Sequence, residues 1–156
     1  MPSALSLYRR LADKPMGQWL FSRLICFKAP YFATIRPRIT ALEPGRCEAV
    51  IGDRRAVRNH IGTVHAIAMC NLAELVGGLM TDVSIPASMR WIPKGMTVQY
   101  LKKAQGALRA TATPDIAVVA SEQGYELPVS VDVQDAAGEH VFHARIAMWV
   151  SPRQSR

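Results

Sequence analysis

The chain is 156 residues long, 49% hydrophobic and 20% charged, which is one domain's worth of sequence able to build its own core and excludes a disordered polymer. Three cysteines, Cys26, Cys47 and Cys70, cannot all pair and show no CxxC spacing, which argues against a disulfide scaffold or a zinc ribbon. Nineteen basic against twelve acidic residues give a net charge of +7, which suits an anionic partner: nucleic acid, an anionic membrane surface or a phosphorylated small molecule.

Residues 4 to 27 read as helical, because Leu5, Tyr8, Leu11, Trp19, Leu20, Leu24 and Phe27 recur at helical spacing. Pro15 and Gly17 divide this stretch into two short helices. Tyr31 to Thr40 reads as a strand, with Pro37 marking an edge or a bulge. Leu42 to Gly45 is a turn, and Arg46 to Gly52 a second strand. Gly52 to Gly62 is a polar connection. A long apolar helix follows, Thr63 to about Met80, with Thr63 as its N-cap. Past Pro86 the pattern becomes strands: Met89 to Ile92 and Met96 to Lys103, one segment or two around Pro93-Lys94-Gly95, then Ala107 to Thr113 and Leu127 to Val133. Asp135 to Glu139 is a hairpin turn. His140 to Val150 closes the series, with Phe142, Ala144, Ile146, Met148 and Val150 on one face. One long apolar helix among hairpin-ordered strands implies an antiparallel sheet wrapped around that helix.

Neither a membrane span nor a secretory signal is read. The longest apolar stretch, Val64 to Met80, is interrupted by His65, Asn71 and Glu74, and the N-terminus is broken by Arg9, Arg10, Asp13 and Lys14. The expectation is a reduced, cytoplasmic domain.

Glu74 is the one formal charge between Val64 and Met80, and Leu72, Ala73, Leu75 and Val76 flank it. A buried carboxylate without a partner is expensive. Either Glu74 is hydrogen-bonded structurally, for instance to Asn71, or it faces a pocket and does chemistry. His65 and Asn59, with Gly62 and Thr63, read on spacing alone as cap and turn residues before any chemical role. Gly77-Gly78 lets the helix press close against the sheet. The N–H groups near His65 and Ala66, at the positive end of the helix dipole, can polarise a carbonyl. Ala66 and Glu74 are eight residues apart, about 12 Å along a helix. That separation points to two groups that meet across a dimer interface.

Asn59-His60-Ile61-Gly62-Thr63-Val64-His65-Ala66, followed by Asn71-Leu72-Ala73-Glu74, resembles the central-helix motif of hotdog-fold acyl-CoA thioesterases. The phenylacetate-pathway and 4-hydroxybenzoyl-CoA types are similar, as is a hotdog subgroup of unassigned function. The resemblance runs from about Tyr31 to Val150. It implies an α+β hotdog core over 31–150 preceded by a helical extension over 1–30, in a single domain of 1–156, assembling as a homodimer or homotetramer. It implies Glu74 as nucleophile or general base and the Ala66 N–H as oxyanion donor. His65 and Asn59 would orient carbonyl or water. No metal or cofactor is called for. The phosphates of coenzyme A would fall to Arg90, Lys94, Lys102 and Lys103, with Arg54, Arg55 and Arg58 as the other basic cluster, and Gly62 would shape the substrate approach. Met69, Leu72 and Trp19 are the expected acyl-pocket lining. Two departures stand out: Ala66 occupies a position where Gly is commoner, and Trp91 to Lys94 carries no hydroxyl, Ser88 and Thr97 only flanking it.

Three rival readings remain at this level. One is a hotdog protein that binds an acyl-CoA or another acyl ligand without hydrolysing it. Another is a hotdog dehydratase, disfavoured by the nine-residue interval from His65 to Glu74 and by the absence of a Pro-Gly-rich lead-in. The last is a nucleic-acid module, suggested by charge alone and supported by no motif.

Overall fold

The computed structural model describes residues 3–153. The helical lead-in consists of α1, Ala4–Leu11, and α2, Gly17–Lys28. Gly17 sets the break between them, because a Cβ there would lie 1.7 Å from the Leu11 carbonyl oxygen. The expected strand over Tyr31 to Thr40 is corrected. Pro30–Ile35 is a 3-10 turn, ended by Arg36 in the left-handed region (φ 46°), and the first strand, β1, is Arg38–Glu43. Pro30 suits the start of a helical turn, where no backbone N–H is needed. The expected turn over Leu42 to Gly45 shortens accordingly, since Leu42 and Glu43 still pair with β2, Arg46–Ile51.

The long helix, α3, is Ala66–Ser84. It begins later and ends later than its apolar pattern indicates. Thr63 is not its N-cap: His65 is, with Nδ1 accepting the Ile67 N–H at 3.1 Å. Thr63 instead receives the Asn59 side-chain amide on its hydroxyl. The two candidate segments after Pro86 are one strand, β3, Met89–Tyr100, which absorbs Pro93-Lys94-Gly95 as a bulge. The strand stops at Tyr100, so Lys102 and Lys103 lie beyond it. β4, Leu108–Pro114, β5, Tyr125–Gln134, and β6, His140–Pro152, follow.

The six strands form one antiparallel sheet in the order β1-β2-β4-β5-β6-β3. β5, and β6 from Phe142 on, show the alternation read from sequence: Val129, Val131, Val133, Phe142, Ala144, Ile146, Met148 and Val150 are all buried. Leu72, Leu75, Val76 and Met80 of α3 join them in the same core. This is the hotdog arrangement, a sheet curled round one helix. α3 is long and apolar enough to cross a membrane by composition alone, but most of it is buried against the sheet.

Enclosure of α3 is incomplete. Ile67, Glu74 and Asp82 are exposed along one stripe, and β3 is an edge strand with nearly every residue exposed. The N-terminal helices lie against β1. Tyr8 Oη donates to the Thr40 carbonyl at 2.8 Å. Ser22, fully buried, donates to the Gln18 carbonyl at 2.7 Å and accepts the Ile39 N–H at 2.8 Å. Removing that hydroxyl leaves a buried donor of β1 without a partner. Ser22→Ala is therefore expected to cost about 1–3 kcal/mol, read as a lower denaturant midpoint with an unchanged slope.

Candidate active site

α3 carries both candidate positions of the motif, Ala66 at its N-terminus and Glu74 two turns on, and the structure keeps them apart. At the N-terminus, Asn59 organises the approach loop. Its Oδ1 accepts the N–H groups of Ile61 and Thr63, both at 3.1 Å, and its Nδ2 donates to Thr63 Oγ1 at 2.8 Å. Gly62, at φ 81°, lets this loop turn. The His65 N–H then donates to the Val57 carbonyl at 2.7 Å. The ring uses Nδ1 to cap the helix, which leaves Nε2 as its donor when neutral. No acceptor among the described residues meets the Ala66 N–H. His65 borders a cleft of about 180 Å³ whose lining also includes Ile67, Ala68, Asn71, Thr34 and Arg58.

Asn71 does not hold Glu74. Its Nδ2 donates to Thr34 Oγ1 at 3.1 Å, and its Oδ1 is buried with no partner. Glu74 itself is exposed, not buried as its sequence neighbours implied, and forms no ion pair among the described residues. It stands on the open stripe of α3, between two clefts. The larger, about 360 Å³, lies between α3, the N-terminal helices and β3. Its apolar walls are Ile25, Ala29, Phe32, Leu75, Leu79 and Trp91. Trp91 is held there by its Nε1–H donating to Asp82 Oδ1 at 3.3 Å, and its ring lies over Gly78. The smaller cleft, about 280 Å³, joins Glu74 to Lys94, Met96 and Ile146.

None of the three residues expected to line an acyl pocket, Met69, Leu72 and Trp19, lines the cleft beside Glu74. Met69 and Leu72 face the sheet and are buried in the core, and Trp19 points away from the cleft to solvent. Helical periodicity identified α3 as apolar but not which apolar residues look outward. Trp91 and Phe32 were missed for the same reason: their neighbourhood with Glu74 is tertiary.

The basic residues are dispersed. Lys94 Nζ sits 4.2 Å above the Trp149 ring, a cation–π contact beside the Glu74 cleft. Lys102 is paired with Glu139, whose carboxylate holds the ammonium above the ordinary lysine range. Arg90 Nε reaches Ser151 Oγ at 3.4 Å on the exposed face of β3, and Lys103 is exposed beyond that strand. Arg58 is engaged bidentately by Asp53 at 2.7 and 2.8 Å, Arg54 donates to the Thr34 carbonyl, and Arg55 is exposed.

One further contact ties α3 to the edge strand: Cys70 Sγ and Tyr100 Oη are 3.4 Å apart. The hydrogen bond with Cys70, then burial, then the Cys70 charge push the Tyr100 phenol up to about 12. A raised folded-state value means this contribution is full below pH 10, the ordinary phenol value, and is lost as pH rises toward 12. In an ultraviolet phenolate titration, Cys70→Ala is expected to move one tyrosine midpoint downward. An unchanged titration curve would contradict the assignment.

The chain matches the family model described as "domain of unknown function (DUF4442)" over residues 17–150. A structural-genomics crystal structure is 45% identical, with 96% of this chain and 98% of that one covered at a TM-score of 0.82. PA5026 of Pseudomonas aeruginosa, described as a protein of unknown function and probable thioesterase, is 23% identical over 90% of this chain and 97% of that one, TM-score 0.74. The thioesterase HI1161 of Haemophilus influenzae is 16% identical over 94% and 98%, TM-score 0.74. At those two identities the likeness is one of fold. No curated protein matches.

Proposed function

The chain belongs to the DUF4442 family of hotdog-fold proteins, and from that premise we propose that it is a thioester hydrolase acting on an acyl-CoA. The observation that carries the reading is the position of Glu74, a free carboxylate at the mouth of an apolar cleft large enough for an acyl chain. The unengaged Ala66 N–H at the positive end of the same helix supports it.

Glu74 takes a proton from water, and the resulting hydroxide adds to the thioester carbonyl. The oxyanion forms against the Ala66 N–H, and the tetrahedral intermediate collapses, breaking the C–S bond. The coenzyme A thiolate leaves and is protonated, and the acyl group departs as a carboxylate. Attack by Glu74 itself, through an anhydride that water then opens, uses the same groups.

Glu74 and Ala66 are eight residues apart on α3, about 12 Å along its axis, and neither cleft beside Glu74 is lined by Ala66. The reading therefore includes a dimer in which each site takes Glu74 from one protomer and Ala66 from the other. β3, unpaired on its outer edge and exposing Ile92 and Met96, is the surface suited to that contact. A strictly monomeric enzyme with full turnover would refute this part. Aromatic and medium-length aliphatic acyl groups both fit an apolar cleft. Lys94 is the cation placed to meet the negatively charged handle, and Arg90, Lys102 and Lys103 contribute at longer range, attenuated by salt.

A second reading, binding without hydrolysis, draws on one observation. Every polar atom of the Asn59 amide is engaged within its own loop, so it has little capacity to orient a carbonyl or a water. Thiol release measured over a panel of acyl-CoAs separates the two. Turnover supports hydrolysis, whereas ligand-induced thermal stabilisation with no thiol released supports binding alone.

A further inference from the structure

The positive charge of this protein is concentrated in one quarter of it. Residues 1–38 hold seven of the basic residues, Arg9, Arg10, Lys14, Arg23, Lys28, Arg36 and Arg38, and one acid, Asp13. That gives 7 − 1 = +6, and the remaining residues hold twelve basic against eleven acidic, 12 − 11 = +1, which together make the +7 of the whole chain. Among the described residues none of these seven cations forms an ion pair, while those of the sheet repeatedly do.

The same segment presents an apolar face outward. α2 buries Gly17, Phe21, Ser22 and Cys26 along one side. The opposite side carries Trp19, Leu20, Leu24 and Phe27, continued by Met16, all exposed, Phe27 at 88%. At 100° per residue Arg23 falls within that stripe. Its guanidinium donates to the Pro37 carbonyl at 3.0 Å. Burial, and then the charges of Arg36 and Arg23, push the Arg54 guanidinium below the ordinary arginine range. Cations grouped this closely need a counter-charge.

We propose that the α1–α2 extension is a docking surface for an anionic phospholipid bilayer, with the outward face of α2 entering the headgroup–acyl boundary and the surrounding arginines and lysines meeting lipid phosphates. A helix with bulky aromatic and aliphatic residues on one face and basic residues about it is suited to lie in that interface. A second copy of the chain is the poorer occupant. A two-fold contact of this face with itself would place the unpaired cations of both copies together. The inference does not depend on hydrolysis.

The test is flotation of the intact protein with vesicles of phosphatidylcholine alone and of phosphatidylcholine with phosphatidylglycerol, at low and high salt. The wild type is expected to float with the anionic vesicles and to be released by salt. Leu24→Ser/Phe27→Ser is expected to weaken binding more than tenfold without lowering the thermal midpoint, since both side chains are exposed. Arg9→Gln/Arg10→Gln should weaken it by about fivefold per charge removed at low salt. Failure to float with either vesicle overturns the proposal. So does equal flotation with both vesicles, or a Leu24→Ser/Phe27→Ser variant that floats like wild type. Dissociation of an oligomer by that variant would assign the face to a second copy instead.

Discussion

Glu74→Gln is expected to lower the turnover of acyl-CoA by about a hundred- to ten-thousandfold, the usual contribution of a positioned general base. If the carboxylate is instead the nucleophile, the loss is as large, because the amide replaces the attacking oxygen with a group that cannot form the anhydride. Stability should hardly change. Glu74 is exposed and forms no ion pair among the described residues, and Gln is nearly isosteric with a similar helix propensity. The decisive comparison is kcat together with the thermal midpoint. A collapse in kcat with an unmoved midpoint places Glu74 in the chemistry. Near wild-type kcat would end the proposal, and a large fall in the midpoint would show that the side chain is structural after all.

The general layout was legible because it rests on periodicity. The alternation from Phe142 to Val150 places those side chains in the core, and the apolar run before Met80 is the central helix. Boundaries were less legible where backbone groups outweigh side-chain pattern. Thr63 is a good N-cap residue by type, yet the Asn59 amide occupies its hydroxyl, and the helix is capped two residues later by His65. Tyr31 to Thr40 has strand-like residues, but Pro30 and left-handed Arg36 enclose a 3-10 turn. The site was half legible. Glu74 stood out because it is a lone charge among apolar residues. Its exposure was not readable, because it depends on β3 and the N-terminal helices leaving one side of α3 open. The cleft walls come from three segments far apart in the chain, and one-dimensional spacing does not register that neighbourhood.

Gly77 and Gly78 look equivalent in the sequence, and the structure gives them opposite tasks. A Cβ on Gly77 would lie 2.7 Å from Ile146 Cδ1 and 3.6 Å from Met148 Cε, both in the buried layer between α3 and the sheet. A Cβ on Gly78 would have the Trp91 ring as its nearest neighbour, 3.0 Å from Cη2, at the wall of the cleft beside Glu74. Gly77→Leu therefore forces a large side chain into a closed core. It is expected to cost more than the roughly 1–3 kcal/mol typical of an added methylene or two, against a helix-propensity gain of about 1 kcal/mol. Chemical denaturation should show a much lower midpoint or no cooperative transition. Gly78→Leu fills the cleft instead, and Trp91 can swing toward solvent to admit it. The folded state should survive, while turnover of long acyl-CoAs falls at least tenfold relative to the shortest members of the panel, chiefly through KM. Equal losses of stability in the two variants would mean that Gly78 is packed as tightly as Gly77. An unchanged chain-length profile in Gly78→Leu would mean that the acyl group binds somewhere other than beside Trp91.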